Sequence, residues 1–336
     1  MSKPGGSRLA ARGSQRPIAI VGPTASGKTG VSIALAERLP IEIVSMDSRQ
    51  LYREMDVGTA KPTPEERGDV PHHGFDLVSP AERFSAAEFA RRARRWIREI
   101  EQRGRVPVLV GGTGFFLRAL TDPIFRQPEM EPERRARLRE WLDAVPAEEL
   151  HGWLAALDPP MAERYASWGG RQRVMRALEL PLLTGRPLSW YQRHAPPEAE
   201  PIRPLTFVIE RPREELNRRI EERVGEMVRA GLLDEARTLL DRYGAEAPGL
   251  RAHGYMEIVP HLRGKIPLAD ALEQVVIDTR QYARRQMTWF RGQLGEDAIW
   301  LDGTKEPADL AEEIHEAFLA TRDSRLAVPD VDVDPA

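Results

Sequence analysis

Short apolar runs and longer stretches of helical period alternate along the first third of the chain. PIAIVG (17–22) has the length of a buried strand and ends at a glycine loop, and KTGVSIALAERL (28–39) continues from it with helical spacing. IEIVSMD (41–47) predicts a second strand, apolar until Asp47. FSAAEFARRARRWIREIEQRG (84–104) predicts a helix, with Ser85 and Glu88 spaced as a capping box and Gly104 at its stop. VPVLVGG (106–112) reads as another strand, followed directly by the helical TGFFLRAL. This alternation predicts an α/β fold with a parallel sheet and helices on both faces. Ligands in such folds sit beyond the carboxyl ends of the strands. The glycine loop, Asp47 and Gly111-Gly112-Thr113 all fall at such ends, so they are expected around one cleft.

From residue 124 the pattern changes. EPERRARLREWLDAVPAEELHGWLAALDPPMAERYASWGG and the residues after it contain no convincing strand, and 124–198 reads as a helical insertion in a core made of 17–123 and 199–322. PLTFVIE (204–210) returns to the sheet. Helices follow at 213–231 and 232–244, each stopped by glycine, and a longer one spans about 269 to 292. The strand AIWLDG (298–303) and the helix PADLAEEIHEAFLATR (307–322) complete the pattern, with no internal repeat. Residues 1–16 are basic but lack the apolar segment of a secretory signal, and 323–336 are acidic and contain proline; both are expected to be disordered.

Composition narrows the classes. Of 336 residues none is cysteine, which excludes disulfides and thiolate metal sites. No apolar run has the length of a membrane span. A cytoplasmic protein with no membrane contact is the expectation. The net charge of -3 alone argues against a polyanionic partner. Basic residues nonetheless cluster in 91–99, 134–140 and 280–291, the last with Tyr282, Trp289 and Phe290 among them, and local charge matters more than the sum.

The candidate chemistry begins at Gly22-Pro23-Thr24-Ala25-Ser26-Gly27-Lys28-Thr29, which fits G-x-x-x-x-G-K-[ST] with a strand before it and a helix after it. Backbone N–H groups and the helix N-terminus of such a loop cradle phosphate. Lys28 would neutralise phosphate oxygens, and Thr29 would ligate a magnesium ion shared with them. The pattern does not say which phosphorylated molecule is held. Asp47 has three roles open to it: a magnesium ligand through water, a base for an attacking group, or a cap for the following turn.

GPTASGKT, MDSRQLYREMDVGTAKP (46–62), PHHGFDLVSP (71–80), GGTGFFLRAL (111–120), RQRVMRALE (171–179) and TRQYARRQMTWFRG (279–292) occur in the order and spacing of one family. Over about 17 to 303 the chain resembles the tRNA dimethylallyltransferases. The resemblance implies a P-loop NTPase-like parallel sheet with an all-helical insertion. It implies transfer of a dimethylallyl group from dimethylallyl diphosphate to N6 of the tRNA adenosine immediately 3′ of the anticodon, with Mg2+ and without nucleotide hydrolysis. The phosphate loop would hold the leaving diphosphate. Asp47 would be the general base, with Thr113 and Arg223 completing the catalytic set.

The same matching assigns tRNA contacts to Asp47, Ser48, Arg49, Gln50 and Thr113, to Arg135, and to Gln172, Arg173, Val174, Met175 and Arg176. It further assigns them to Arg251, Ala252, His253, Gly254, Tyr255 and Met256, and to Arg284, Arg285, Gln286, Met287, Thr288, Trp289, Phe290 and Arg291. A stacked adenine cannot present its amine to a buried allylic carbon, so the nucleotide would be flipped into the site. Phe116, His253 and Met256 depart from the family pattern of tyrosine, an aliphatic residue and a basic residue. His72 and His73 read as local packing and hydrogen-bonding residues. The enzyme would act as a monomer. A P-loop small-molecule or nucleoside kinase would use the same loop and Asp47, but the chain has no arginine-rich lid pattern and DSRQ…GTAKP would be left unexplained. An RNA-binding protein with a vestigial loop is opposed by the presence of Lys28, Thr29, Asp47 and Thr113 together.

Overall fold

The computed structural model describes residues 16–123, 125–166 and 170–326. The expected disordered stretches lie outside this range except at their inner ends, where both are corrected. Arg16 donates to the carbonyls of Arg203 at 2.8 Å and Pro204 at 3.1 Å, and residues 323–326 continue the last helix.

The elements follow in the order β1 (Ile18–Val21), α1 (Lys28–Ala36), β2 (Ile41–Ser45), α2 (Pro64–Arg67), β3 (His72–His73), α3 (Ala86–Gln102), β4 (Val106–Gly111) and α4 (Gly114–Thr121). A helical stretch comes next: α5 (Pro132–Ala144), α6 (Ala147–Leu157), α7 (Pro159–Tyr165), α8 (Arg171–Thr184) and α9 (Leu188–His194). The chain then forms β5 (Leu205–Glu210), α10 (Arg213–Arg229), α11 (Leu232–Tyr243), a 3-10 turn at Gly249–Arg251, α12 (Tyr255–Leu262), α13 (Leu268–Gln293), β6 (Ile299–Asp302) and α14 (Pro307–Leu326).

Among the described residues the strands make one parallel sheet in the order β3-β2-β4-β1-β5-β6. β1 and β4 are buried at every position, as unbroken apolar strands between two helical layers should be. Ile18, Ile20, Leu35, Phe207, Ile314 and Phe318 pack one face beneath α1 and α14. On the other face α3 turns Phe89, Ala93, Ile97 and Ile100 inward. The expected α/β sheet is therefore present.

Ser85 caps α3 by accepting the Glu88 N–H at 3.1 Å, but the box is not closed, because the Glu88 carboxylate takes Arg92 at 2.8 Å instead. β3 is an edge strand too short to leave a period in the sequence. Its His73 reaches the buried Glu42 at 2.8 Å while Arg103 holds the same carboxylate at 2.7 and 2.8 Å, and chiefly the Arg103 hydrogen bonds lower the Glu42 pKa. His72 bonds the Val70 carbonyl at 2.7 Å. The histidine pair thus has the local role expected of it.

The chain divides into two compact units, one formed up to Thr121 and from Arg203 onward, the other by Asp122–Ile202. The second unit has its own core of Leu142, Leu150, Leu154, Met161, Val174, Met175 and Leu178. The buried Glu179 is neutralised there by Arg135 at 2.8 Å and by Arg139.

Candidate active site

The carboxyl ends of β1, β2 and β4 deliver the glycine loop, Asp47 and Gly111-Gly112 to one cleft of about 490 Å³, walled by α10 and α13. The loop runs from Gly22 to Gly27 and passes into α1 at Lys28. Its Ala25 has φ +61, a left-handed conformation that costs a residue with a Cβ of order 1–3 kcal/mol and persists only where its surroundings enforce it. They do: Arg219 donates to the Ala25 carbonyl at 2.9 Å and Arg211 to the Ser26 carbonyl at 3.1 Å. Arg223, one turn beyond Arg219 on α10, reaches the Thr24 hydroxyl at 3.3 Å. On the other side Gln286 of α13 accepts the Thr24 N–H at 2.9 Å and donates to the Gly112 carbonyl at 2.9 Å. Glycine is required at 112, because a Cβ there would overlap the Gln286 amide.

Asp47 follows β2 directly. Its Oδ1 accepts the Arg49 N–H at 2.8 Å, a turn that fixes the carboxylate against the backbone. Thr113 accepts the Ser48 N–H at 3.1 Å, which ties the end of β4 to the same turn. Tyr282 of α13 also lines the cleft, and burial, then the negative charge of Asp47, push its hydroxyl up to about 12. A hydrogen bond with Thr113 works against that shift.

The cleft is built from cations that disfavour one another. Burial first, and then Arg223, push the Lys28 ammonium down to about 7, with Asp47 opposing. Nζ folds back onto the Gly22 and Pro23 carbonyls at 3.1 and 2.6 Å. Burial also lowers the pKa of Arg223 and, less enclosed, of Arg219. Desolvated cations beside the N-terminus of α1 favour a multiply charged anion, which would neutralise them together. For a hard metal ion the cleft offers oxygen donors at Thr29 and Asp47. His253, Glu257 and Asp278 also approach within 4.8 Å of one another. The Glu257 carboxylate there is already engaged by the Gly254 N–H at 2.7 Å and by His253 at 3.1 Å.

The cleft brings together Asp47, Arg223, Lys28 and Thr29, along with Arg49 and Gln50, whereas Thr113 does not line it and is tied to its edge through the Ser48 N–H. The segments matched to tRNA contacts divide by burial. Gln172, Arg173, Arg176, Arg251, Met256, Arg284, Arg285, Thr288 and Arg291 are exposed, and His253, Met287 and Trp289 are half-buried. Val174 and Met175 lie in the core of the helical unit, and Ala252, Tyr255, Gln286 and Phe290 are also buried, so their side chains serve packing and positioning; Gly254 is buried as well. Arg135 is committed to Glu179. Several cationic clusters are neutralised locally too: Arg95 pairs with Glu99, Arg280 with Glu221, Arg291 with Glu210. The sequence reading missed the loop-holding roles of Arg211, Arg219 and Gln286. A signal for one of them existed, since Arg219 and Arg223 are spaced i,i+4 on one helix face.

The fold and this cleft define an α/β protein in which a glycine loop, the Asp47 carboxylate and the cations Lys28, Arg219 and Arg223 line one site. Comparison with known proteins narrows the class. The family model described as IPP transferase matches residues 50–293, and one described as Isopentenyl transferase matches 16–70. A curated relative from Geobacter metallireducens, a tRNA dimethylallyltransferase, is 46% identical over 85% of this chain and 92% of its own length. One of the same name from Anaeromyxobacter dehalogenans is 44% identical over 89% and 99%. Among solved structures, a full-length tRNA isopentenylpyrophosphate transferase from Bacillus halodurans superposes with a TM-score of 0.68 at 36% identity, covering 93% of this chain and 99% of that one. A eukaryotic dimethylallyltransferase acting on tRNA gives 0.80 at 26% identity, covering 96% and 82%. The chain belongs to the tRNA dimethylallyltransferase family and is a prenyl-transferring enzyme. Among the described residues no helix is long and apolar enough to cross a membrane.

Proposed function

We propose that this protein transfers the dimethylallyl group of dimethylallyl diphosphate to N6 of the adenosine immediately 3′ of a tRNA anticodon, as a cytoplasmic monomer. The observation that carries this reading is the convergence of Asp47 with Lys28, Arg219, Arg223 and the glycine loop in one cleft. The exocyclic amine of adenine is a weak nucleophile, so a base that takes its proton while the C–N bond forms lowers the barrier. Asp47 serves as that base. It is held by the Arg49 N–H through Oδ1, and Oδ2 makes no hydrogen bond among the described residues.

As nitrogen bonds to the allylic carbon, the carbon–oxygen bond breaks and negative charge accumulates on the departing diphosphate. Lys28, Arg223 and the N-terminus of α1, which line the cleft, would stabilise it, with the Thr113 hydroxyl assisting from beside the Asp47 turn. The depressed pKa of Lys28 suits this role, since a polyanion restores its charge. Magnesium fits the donor set: Thr29 would hold it, with phosphate oxygens and water filling the rest, because this ion keeps much of its hydration. When bound it would supply further charge neutralisation on the diphosphate.

On the acceptor side Ser48, Arg49 and Gln50 line the segment that would meet the flipped nucleotide, and the exposed arginines of α8 and α13 would hold phosphates. The test is to incubate unmodified tRNA with the enzyme, magnesium and dimethylallyl diphosphate, then analyse nucleosides by mass spectrometry. Dimethylallyladenosine should form, and a transcript with guanosine 3′ of the anticodon should yield none. Modification of the guanosine transcript to the same extent would refute the acceptor assignment.

A further inference from the structure

One carboxylate outside the cleft organises its acceptor wall. Glu235, on α11, accepts the backbone N–H groups of three successive residues: Asp56 at 2.9 Å and Val57 at 2.8 Å through Oε2, and Gly58 at 2.9 Å through Oε1. Its Oε1 also accepts the Tyr255 hydroxyl at 2.6 Å. Three consecutive N–H groups on one anion form a nest, and its partner is a side chain of the protein itself. Tyr255 is fully buried, and its ring lies where a Cβ on Gly58 would come within 2.5–2.8 Å. The turn at 56–58 is therefore gripped from both sides.

That turn leads into Thr59 and Ala60, whose carbonyls receive the Gln50 amide at 3.3 and 3.0 Å. Lys61 closes the segment, donating to the Tyr52 carbonyl at 2.9 Å and to Asp56 and Asp76 at 2.6 and 2.7 Å. Gln50, Gly58, Thr59 and Ala60 line the cleft beside Asp47. The anchors of the phosphate loop, Arg211, Arg219, Arg223 and Gln286, make none of these bonds. We infer that Glu235 is a positioning residue for the acceptor nucleotide: by fixing the 56–58 turn it sets the Thr59 and Ala60 carbonyls, and through them the Gln50 side chain that faces the base. The inference rests on the acceptor reading proposed above.

The test uses the full chain with Glu235→Gln and Tyr255→Phe. Glutamine keeps the size of glutamate, but either orientation of its amide sets an NH2 against at least one backbone N–H of the nest. Phenylalanine removes one donor and leaves the nest intact. Three quantities are measured: single-turnover transfer at saturating tRNA and donor, affinity for dimethylallyl diphosphate, and fluorescence of an anticodon stem-loop carrying 2-aminopurine at the target position. Glu235→Gln should transfer about 10- to 100-fold more slowly, as loss of charge-assisted bonds of this kind implies. Its donor affinity should stay within about twofold, and the 2-aminopurine signal should differ from wild type, because the lost bonds act on the acceptor alone. Tyr255→Phe should show the same pattern to a smaller degree, and it decides the matter if the glutamine variant does not fold. Unchanged transfer, or a parallel fall in donor affinity, would overturn the inference. Wild-type enzyme that transfers nothing in this assay would instead overturn the functional reading on which it rests.

Discussion

Gln286 accepts the Thr24 N–H at 2.9 Å with one end of its amide and with the other donates to Gly112, so a side chain of α13 sets the distance between the phosphate loop and the turn that carries Thr113. Replacing it with alanine leaves a buried donor and acceptor without partners. Gln286→Ala should lose about 1–3 kcal/mol in denaturant unfolding, and its donor affinity should weaken with it. Unchanged stability together with selective loss of tRNA affinity would place Gln286 at the RNA surface.

The state of Lys28 gives a pH signature. Its ordinary pKa of 10.5 falls to about 7 in the folded enzyme, chiefly by burial. Between those values the unfolded chain carries a proton that the folded chain has released, so this group makes folding more favourable as pH rises through that window and disfavours it fully below. A bound diphosphate restores the proton. Calorimetry at pH 8 in buffers of different ionisation enthalpy should therefore show net proton uptake on donor binding, and affinity should fall as pH is raised from 7 to 9. Binding without proton exchange would mean that Lys28 stays charged in the free enzyme.

Asp47→Asn keeps the size of the side chain and its acceptor for the Arg49 N–H, so fold and donor binding should be close to wild type. Loss of the base should slow the chemical step about 100- to 10,000-fold at saturating tRNA. A slow variant with weakened donor and metal binding would point to a ligand role instead, and an unstable one to a cap.

Arginines in the matched segments should differ in what they do. Arg135→Ala removes a partner of the buried Glu179 and should lower the melting temperature of the helical unit. Arg284→Glu with Arg285→Glu, both exposed on α13, should leave melting unchanged and weaken tRNA binding. The salt dependence of that binding should become shallower, since fewer counterions are released. Equal loss of stability in both variants would remove the distinction.

The sheet was legible because β1 and β4 are unbroken apolar runs and its helices carry long amphipathic faces, as α3 does with Phe89, Ala93 and Ile97. β3 is two residues long, and α12 is eight residues with Pro260 inside it, so neither leaves a periodic signal. Asp47, Lys28 and Gly111-Gly112 are marked locally in the sequence by strand ends and a glycine loop, and the structure brings them to one cleft. Gln286 and Glu235 could not be found that way. Their partners lie 262 and 179 residues distant, and only the packing of α13 and α11 brings them together. Local spacing also could not separate Arg135, held by a buried carboxylate, from exposed arginines of the same type.

The central claim is that the phosphate loop holds the diphosphate of an isoprenoid while Asp47 activates an RNA amine. The most direct test offers one preparation of unmodified tRNA two donors together, dimethylallyl diphosphate labelled in its carbon and ATP labelled in its terminal phosphate, with and without a magnesium chelator. The carbon label should enter RNA without any need for ATP, the phosphate label should stay out of RNA, and chelation should abolish transfer. Phosphate label in RNA or a small molecule, with no carbon label incorporated, would contradict the account and favour a kinase.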